Sequence, residues 1–320
     1  MNRLFRWLAV LGAAASLTAC GGSDDHPAPP PPAGNIVVVA QANGFNALAA
    51  AATKANLITA LSDPAANLTV FAPTDAAFTA LAKQLGFADA NALVTALPAS
   101  ALANILTYHV LPTKKTAADL TAGGATQATL YNFGGAATTL KLAFTSGVAI
   151  TDAALTTANV VTADVPATNG VVHAIDKVLV PPGVLNIVQM AQVNPLFTTL
   201  VGAVVKANLQ GTLSGAGPFT VFAPTNDAFA AIQSTVASLT TAQLGKVLTY
   251  HVLPSQVLAA NIPFGTPVAT VEGETLTINA GTPPTITDKS TTKAPIIATD
   301  VRASNGVIHV LSKVLIPTLP

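Results

Sequence analysis

The side chains best suited to acid–base chemistry in this sequence are two Tyr-His pairs, Tyr108-His109 and Tyr250-His251. A histidine beside a second proton-donating group can serve as a general base, and an exposed pair can instead form a recognition patch. The alternative is structural. Apolar residues surround the pairs, so both side chains would be partly buried, with their polar atoms bonded to the backbone where a helix turns into a strand. We favour this structural interpretation and keep the four residues as candidate binding residues.

Two further histidines, His173 and His309, lie within runs of valine and isoleucine that are typical of a central strand. We expect them to be core histidines with satisfied hydrogen bonds. A zinc site needs three or four converging ligands, and each half of the chain offers two histidines and no cysteine. The sequence has no nucleophile elbow, zinc-protease motif, phosphate-binding loop or dinucleotide-binding glycine pattern. It therefore predicts a protein that is not an enzyme, with no catalytic residue, metal site or cofactor.

The composition narrows the class of partner. Of the 320 residues, 51% are hydrophobic and only 9% are charged, and 14 Lys and Arg balance 14 Asp and Glu. This balance predicts no basic face and argues against a nucleic-acid partner. No apolar run reaches the ~18 residues of a spanning helix, so the hydrophobic residues are expected in packed helices and strands.

The N-terminus has the form of a secretory signal, in which Arg3 and Arg6 precede a short apolar stretch. Leu17-Thr18-Ala19-Cys20 resembles a bacterial lipobox, where cleavage falls before the cysteine and the cysteine receives lipid. Several acyl chains anchor a protein more firmly than one. Residues 20–34 continue as a proline-rich tether that favours the extended polyproline form. We therefore predict a signal peptide at 1–19, then an exported protein anchored by lipid on Cys20 to the cell envelope. We expect the outer membrane if the host has one, with the folded part in the periplasm or at the cell surface.

The rest of the chain repeats itself. Three segments return in the same order: Val70–Thr74 as Val221–Thr225, Leu106–Pro112 as Leu248–Pro254, and Asn169–His173 as Asn305–His309. This order predicts two copies of one domain, at 35–182 and 183–320. A copy of about 140 residues buries ~68–70% of its unfolded surface, and the Pro181-Pro182-Gly183 joint is too short to carry much interface. Each copy is therefore expected to fold and unfold alone.

Each copy reads helix-rich first and strand-rich last. A β-prone run ends at Pro73, and Thr74 is placed to cap the next helix. A further helix precedes each Tyr-His pair, with capping-box spacing between Thr240 and Gln243 in the second copy. An Asn-Gly pair near the end of each copy predicts the turn of a closing hairpin. The expected fold is α+β: a β-sandwich or wedge with helices packed at one side.

These three repeated motifs together resemble the fasciclin domain. Both copies carry all three in order, and the resemblance covers roughly residues 36–182 and 184–320. The copies differ after the first motif, where Asp75-Ala76 becomes Asn226-Asp227. They differ again in the closing strand, where Asp176 becomes Ser312. The last difference argues against a chemical role for Asp176 that both copies require.

The resemblance implies a tandem fasciclin-like protein used for binding or adhesion. Fasciclin-like domains are best known in extracellular adhesion proteins, and animal members use the first motif and the Tyr-His region for receptor contact. By position, the implied binding residues are Phe71, Thr74, Asp75, Phe78, Tyr108, His109, Phe222, Thr225, Asn226, Phe229, Tyr250 and His251. The expected partner is extracellular matrix, a polysaccharide or another surface protein. Some fasciclin-like proteins resemble carotenoid binders, so the alternative is a carrier of an apolar small molecule in the cell envelope.

Overall fold

Each copy of the repeat begins with helices and ends with strands in the computed structural model, which describes residues 34–319. The predicted signal peptide, Cys20 and the tether up to residue 33 lie outside the described residues. The described residues belong to one compact unit. Between residues 34 and 319 no single helix is long and apolar enough to cross a bilayer, although two bent helix pairs satisfy length and composition alone.

The helices of the first copy are α1 (Ile36–Ala42), α2 (Asn46–Lys54), α3 (Ile58–Ser62), α4 (Asp75–Gln84), α5 (Ala90–Ala96), α6 (Ala99–Tyr108) and α7 (Ala117–Ala122). Its strands are β1 (Leu68–Pro73), β2 (Val110–Leu111), β3 (Thr126–Phe133), β4 (Ala136–Ala143), β5 (Ala149–Thr151), β6 (Thr157–Ala167) and β7 (Gly170–Ile175).

The second copy repeats this plan with shorter strands. Its helices are α8 (Ile187–Val193), α9 (Thr198–Lys206), α10 (Gln210–Ser214), α11 (Asn226–Ala230), α12 (Gln233–Ser238) and α13 (Thr241–Tyr250), with 3-10 turns at Pro195–Phe197 and Ala259–Asn261. Its strands are β8 (Phe219–Pro224), β9 (Val252–Leu253), β10 (Pro267–Ala269), β11 (Thr275–Asn279), β12 (Thr285–Thr287), β13 (Ala294–Ala303) and β14 (Gly306–Leu311).

The strands of each copy form one mixed sheet. The order is β2-β1-β7-β6-β5-β4-β3 in the first copy and β9-β8-β14-β13-β12-β11-β10 in the second. β1 runs parallel to β7, with Phe71 opposite His173, and β8 runs parallel to β14. Register shifts in β6 and β13 mark bulges, which bend a strand and increase its twist. The predicted α+β wedge is confirmed: a barrel-like sheet with helices packed beside it.

Local signals in the sequence place several of these elements. Thr74 caps α4 by accepting the backbone N–H of Ala77 on its hydroxyl at 3.2 Å. The capping box between Thr240 and Gln243 starts α13. Each Tyr-His pair stands at the end of its predicted helix, and the closing hairpins turn at the Asn-Gly pairs.

The asparagine of each closing turn also ties the hairpin to the first helices. The buried Asn169 accepts the backbone N–H of Ile36 on Oδ1 at 2.9 Å. Its Nδ2 donates to the carbonyl oxygens of Leu61 and Asp63 at 2.9 and 3.0 Å. A Cβ on the following Gly170 would lie 2.2 Å from the carbonyl oxygen of Leu68, so the Asn-Gly order is fixed by close packing. Asn305 makes the same three bonds in the second copy.

The hydrophobic core is shared between the copies. The cluster under the helices runs without a break from α4, with Phe78 and Leu81, to α8, with Val193. A separate cluster fills the strand-rich half of each copy, around Tyr108 in the first and Tyr250 in the second. The expectation that the copies meet only through a short joint is therefore wrong.

Hydrogen bonds also fix the joint itself. The hydroxyl of Tyr131 donates to the carbonyl oxygen of Pro182 at 3.0 Å. The backbone N–H of Gly183 donates to the carbonyl oxygen of Arg302, also at 3.0 Å. Gly183 has a φ of 76°, and a Cβ there would lie 2.2 Å from the ring of Phe133. Glycine is needed at this position for both reasons.

Candidate binding site

The histidine of each Tyr-His pair joins two backbone segments. In His109, Nδ1 lies 2.7 Å from the carbonyl oxygen of Ile105 at the end of α6, and Nε2 accepts the backbone N–H of Leu179 at 2.8 Å. His251 makes the same two bonds, with Val247 and Leu315, at the same distances. Since Nε2 accepts, the ring proton belongs on Nδ1. Both nitrogens are used, so neither ring has a free lone pair for general-base catalysis.

Burial fixes the charge state of these two rings. His109 and His251 are 1% and 2% exposed. Burial lowers the pKa of each to about 4, against the smaller opposing effect of the bonded carbonyl oxygen. Both are neutral at pH 7, as their hydrogen-bond pattern requires.

The tyrosines of the pairs are buried as well. The hydroxyl of Tyr250 donates to the carbonyl oxygen of Thr275 at 3.0 Å, and that of Tyr108 lies 3.5 Å from the carbonyl oxygen of Thr139. Burial, with Asp288 as the next cause, raises the pKa of Tyr250 to about 12, and burial also raises the pKa of Tyr108. Both pairs thus show the burial and the backbone hydrogen bonds that the structural interpretation expects, and their role in binding stays a prediction.

The second histidine of each copy is a core residue, as predicted. His173 is fully buried and stacks on Phe71, with ring centroids 5.7 Å apart. Its Nδ1 accepts the backbone N–H of Asp164 at 3.2 Å, and its Nε2 lies 2.9 Å from the carbonyl oxygen of Lys115. His309 repeats this arrangement against Phe222. Among residues 34–319 no group of three or more His, Cys, Asp or Glu could hold a metal ion.

The polar residues of the first motif tie helices together. Asp75 accepts the backbone N–H of Ala47 at 2.8 Å and the side-chain amide of Asn46 at 3.0 Å, which connects α4 to α2. Asn226 does the same in the second copy, accepting from Thr199 at 2.9 Å and donating to the carbonyl oxygen of Pro195 at 2.8 Å.

None of the twelve predicted binding residues is fully exposed. Three are half-buried with their side chains bonded to neighbouring elements: Thr74, Asp75 and Asn226. The other nine are buried: Phe71, Phe78, Tyr108, His109, Phe222, Thr225, Phe229, Tyr250 and His251. A contact surface made of the buried nine would require the domain to open, so their binding role stays a prediction that this conformation does not support.

Matched apolar cavities lie between the helices and the sheet, one in each copy. The first is lined by residues such as Leu48, Val70 and His109, and the second by their counterparts, Leu200, Val221 and His251. Each has a volume of about 30 Å³. Sites for small molecules have volumes of ~300–1,000 Å³, so neither cavity holds such a ligand in this conformation.

A larger cleft, of about 400 Å³, opens between the two copies. One wall comes from β4 and β5 and includes Lys141 and Thr151, and the other is the segment 299–302 of β13. Pro182 of the joint and Asp152 also line it. Sequence reasoning missed this site because its walls lie far apart in the chain. The one available signal was Arg302, the only arginine after Arg6.

Comparison with known proteins agrees with this architecture. The fasciclin domain family model matches residues 43–181 and 195–317. Protein sll1483 of Synechocystis is 46% identical over 140 residues, which cover 42% of this chain and 75% of that protein. Transforming growth factor-beta-induced protein ig-h3 of the pig, Sus scrofa, is 32% identical over 257 residues, which cover 78% of this chain but 35% of that protein.

A solved structure is similar as well. It is the fasciclin domain pair from the insect cell adhesion molecule Fasciclin I, with 18% identity and a TM-score of 0.42 over 88% of this chain and 95% of that one. Fasciclin domains are typically adhesion-related and generally non-enzymatic, and proteins that carry them are extracellular or secreted. With both copies matched over most of their length, this chain belongs to the fasciclin domain family.

Proposed function

We propose that this protein is a surface-tethered, non-enzymatic binding or adhesion protein that engages extracellular matrix, a polysaccharide or another cell's surface. The observation that carries the proposal is the use of the histidines. All four imidazoles of the two copies have both ring nitrogens bonded to backbone groups. The residues that the sequence offered for acid–base chemistry therefore stabilise the fold, and family membership favours binding.

The proposed attachment is lipid on Cys20. Its support is the sequence alone: the signal-like N-terminus, a single cysteine at the end of the apolar stretch and a proline-rich tether. Such a tether extends ~3.1 Å per residue and would hold the folded part away from the membrane, where both copies can reach a partner.

The second candidate is a carrier of an apolar small molecule. The matched apolar cavities favour it, and their volume opposes it, since a helix would have to move aside to admit a ligand. An absorption spectrum of protein purified from its native host distinguishes the two functions. A visible chromophore that stays with the protein supports the carrier.

Retention on surfaces tests the proposed function. Residues 34–320, coupled to beads, are offered the surface polysaccharides and matrix components of the host, and the same beads after irreversible unfolding serve as the control. We expect the folded beads to retain at least one component well above the control. Equal retention by folded and unfolded beads on every component would reject the binding function.

A further inference from the structure

Two cationic side chains that line the cleft between the copies have no side-chain partner among residues 34–319. Lys141 lies on β4 and Arg302 on β13, and both belong to the cleft wall. Neither takes part in any ion pair or side-chain hydrogen bond among residues 34–319. A lysine and an arginine that form no ion pair, on opposite walls of one cleft, can attract an anion that lies between them.

These cations do not belong to the framework that the two copies share. In the second copy Arg302 pairs with Val307, and in the first copy Pro166 pairs with Val171. Arg302 and Pro166 are therefore equivalent positions, and the first copy has proline where the second has arginine. In the first copy Lys141 pairs with Thr151, and in the second copy Thr277 pairs with Thr287. Lys141 and Thr277 are therefore equivalent positions, and the second copy has threonine where the first has lysine. At each of these two pairs of equivalent positions, only the residue that lines the cleft is a cation.

The acidic residues of the cleft are largely committed to protein donors. Both carboxylate oxygens of the buried Asp152 accept hydrogen bonds, including the backbone N–H groups of Thr156 at 2.8 Å and Val180 at 2.9 Å. Burial raises the pKa of Asp152 despite these bonds. Asp300 accepts the backbone N–H of Ala259 at 2.9 Å. Asp152 and one oxygen of Asp300 are therefore used by the protein, whereas the side chains of Lys141 and Arg302 are not.

The rest of the lining suits a sugar. The hydroxyls of Thr139, Thr151 and Thr299 make no hydrogen bond among the described residues, and they can pair with ring hydroxyls. Phe133 and Leu155 add an apolar surface for the C–H face of a sugar ring. The guanidinium of an arginine matches a carboxylate with two parallel hydrogen bonds. The volume of about 400 Å³ falls in the range of small-ligand sites.

We propose that the cleft between the two copies binds a carboxylated saccharide, with Arg302 and Lys141 on its carboxylates and the three threonine hydroxyls on its ring hydroxyls. This inference rests on the proposed binding function and names its ligand class and site. The Tyr-His regions take no part in it.

Calorimetric titration of the detergent-solubilised full chain with trigalacturonate tests the proposal. We expect binding that weakens with salt, at least a tenfold weaker affinity in Arg302→Gln and in Lys141→Gln, and no binding of the methyl-esterified trisaccharide. Lys206→Gln, on the exposed face of α9 outside the cleft, is the matched control and should bind like the parent. Unchanged melting temperatures in both cleft variants exclude loss of fold as the cause.

Three results would overturn it: equal affinity for acid and ester, full affinity in both cleft variants, or equal affinity for citrate, which carries carboxylates without a sugar. The surface-retention assay separates this failure from that of the proposed function. If Arg302→Gln and Lys141→Gln are retained as well as the parent, the cleft is not the binding site, but the proposed binding function stands. If the parent itself is not retained, both the saccharide site and the proposed binding function are rejected.

Discussion

Asn194 of the second copy donates its side-chain amide to the backbone carbonyl oxygen of Ala154 in the first, at 2.7 Å. Both residues are only 1% exposed. Asn194 also accepts the backbone N–H of Leu196 at 2.9 Å and so starts the 3-10 turn that follows α8. One side chain thus links the two copies and shapes the entry to a helix.

Replacing Asn194 with Ala should lower the free energy of unfolding by ~1–3 kcal/mol, because it leaves the buried carbonyl oxygen of Ala154 without a donor. Urea denaturation measures the change. The matched control is Asn43→Ala at the same place in the first copy, where the exposed amide bonds only to Val39 within its own turn. Equal costs for the two variants would contradict a special role for the link between the copies.

Replacing His109 or His251 with Ala should cost ~1–3 kcal/mol each, since each change strands a buried N–H of Leu179 or Leu315. Thermal denaturation gives the stability, and the surface-retention assay gives the binding. We expect any loss of binding to follow the loss of fold. Unchanged melting temperatures in both variants, together with lost binding, would instead make the Tyr-His pairs a contact surface.

The same histidines predict a loss of stability in mild acid. Their folded pKa of about 4 lies below the ordinary value of 6.5, so protonation favours the unfolded chain. The contribution of the neutral histidines to the free energy of unfolding is fully present above pH 6.5. It is lost as the pH falls from 6.5 towards 4, by roughly 3 kcal/mol per histidine. Urea denaturation at half-unit steps of pH measures this slope. A variant with His109→Gln and His251→Gln should show a flatter profile over this window, and an unchanged slope would assign it to other groups.

Gly183→Ala should destabilise the chain by more than 1 kcal/mol, because alanine disfavours the positive φ and its Cβ meets the ring of Phe133. Gly202→Ala is the opposite control: it lies inside α9 with open space around it, and should stabilise by ~0.5–1 kcal/mol. Thermal denaturation of both variants checks the pair. A neutral Gly183→Ala would mean that the joint is free to adjust.

Cys20→Ser tests the predicted anchor. Without the thiol there is no site for the lipid, so the protein should leave the membrane fraction or remain unprocessed. Fractionation with immunoblotting follows both its location and its size. A serine variant that still partitions into detergent at the mature size would reject lipidation at this residue.

The sequence predicted the parts of this structure that depend on local chemistry. Thr74 predicted the N-terminus of α4, because threonine is a common N-cap residue. The apolar residues around His109 indicated that this histidine is buried. Contacts between distant segments were out of reach, because no local pattern reports them. Asn169 was visible as a turn residue, but its three buried hydrogen bonds need α1 and α3 in place. Lys141 and Arg302 line the same cleft only once both copies have folded.

The parallel pairing of β1 with β7, and of β8 with β14, sets when each copy can fold during synthesis. In each copy the first strand in chain order pairs with the last strand: Leu68 pairs with Gly170, and Phe219 pairs with Gly306. Pairings so distant in sequence form slowly and only after both segments are available. A chain that emerges from the N-terminus therefore cannot complete either sheet until the whole copy has been made. The first copy can therefore close its sheet once β7 has been made, whereas the second copy stays open until β14, near the end of the described residues, is available.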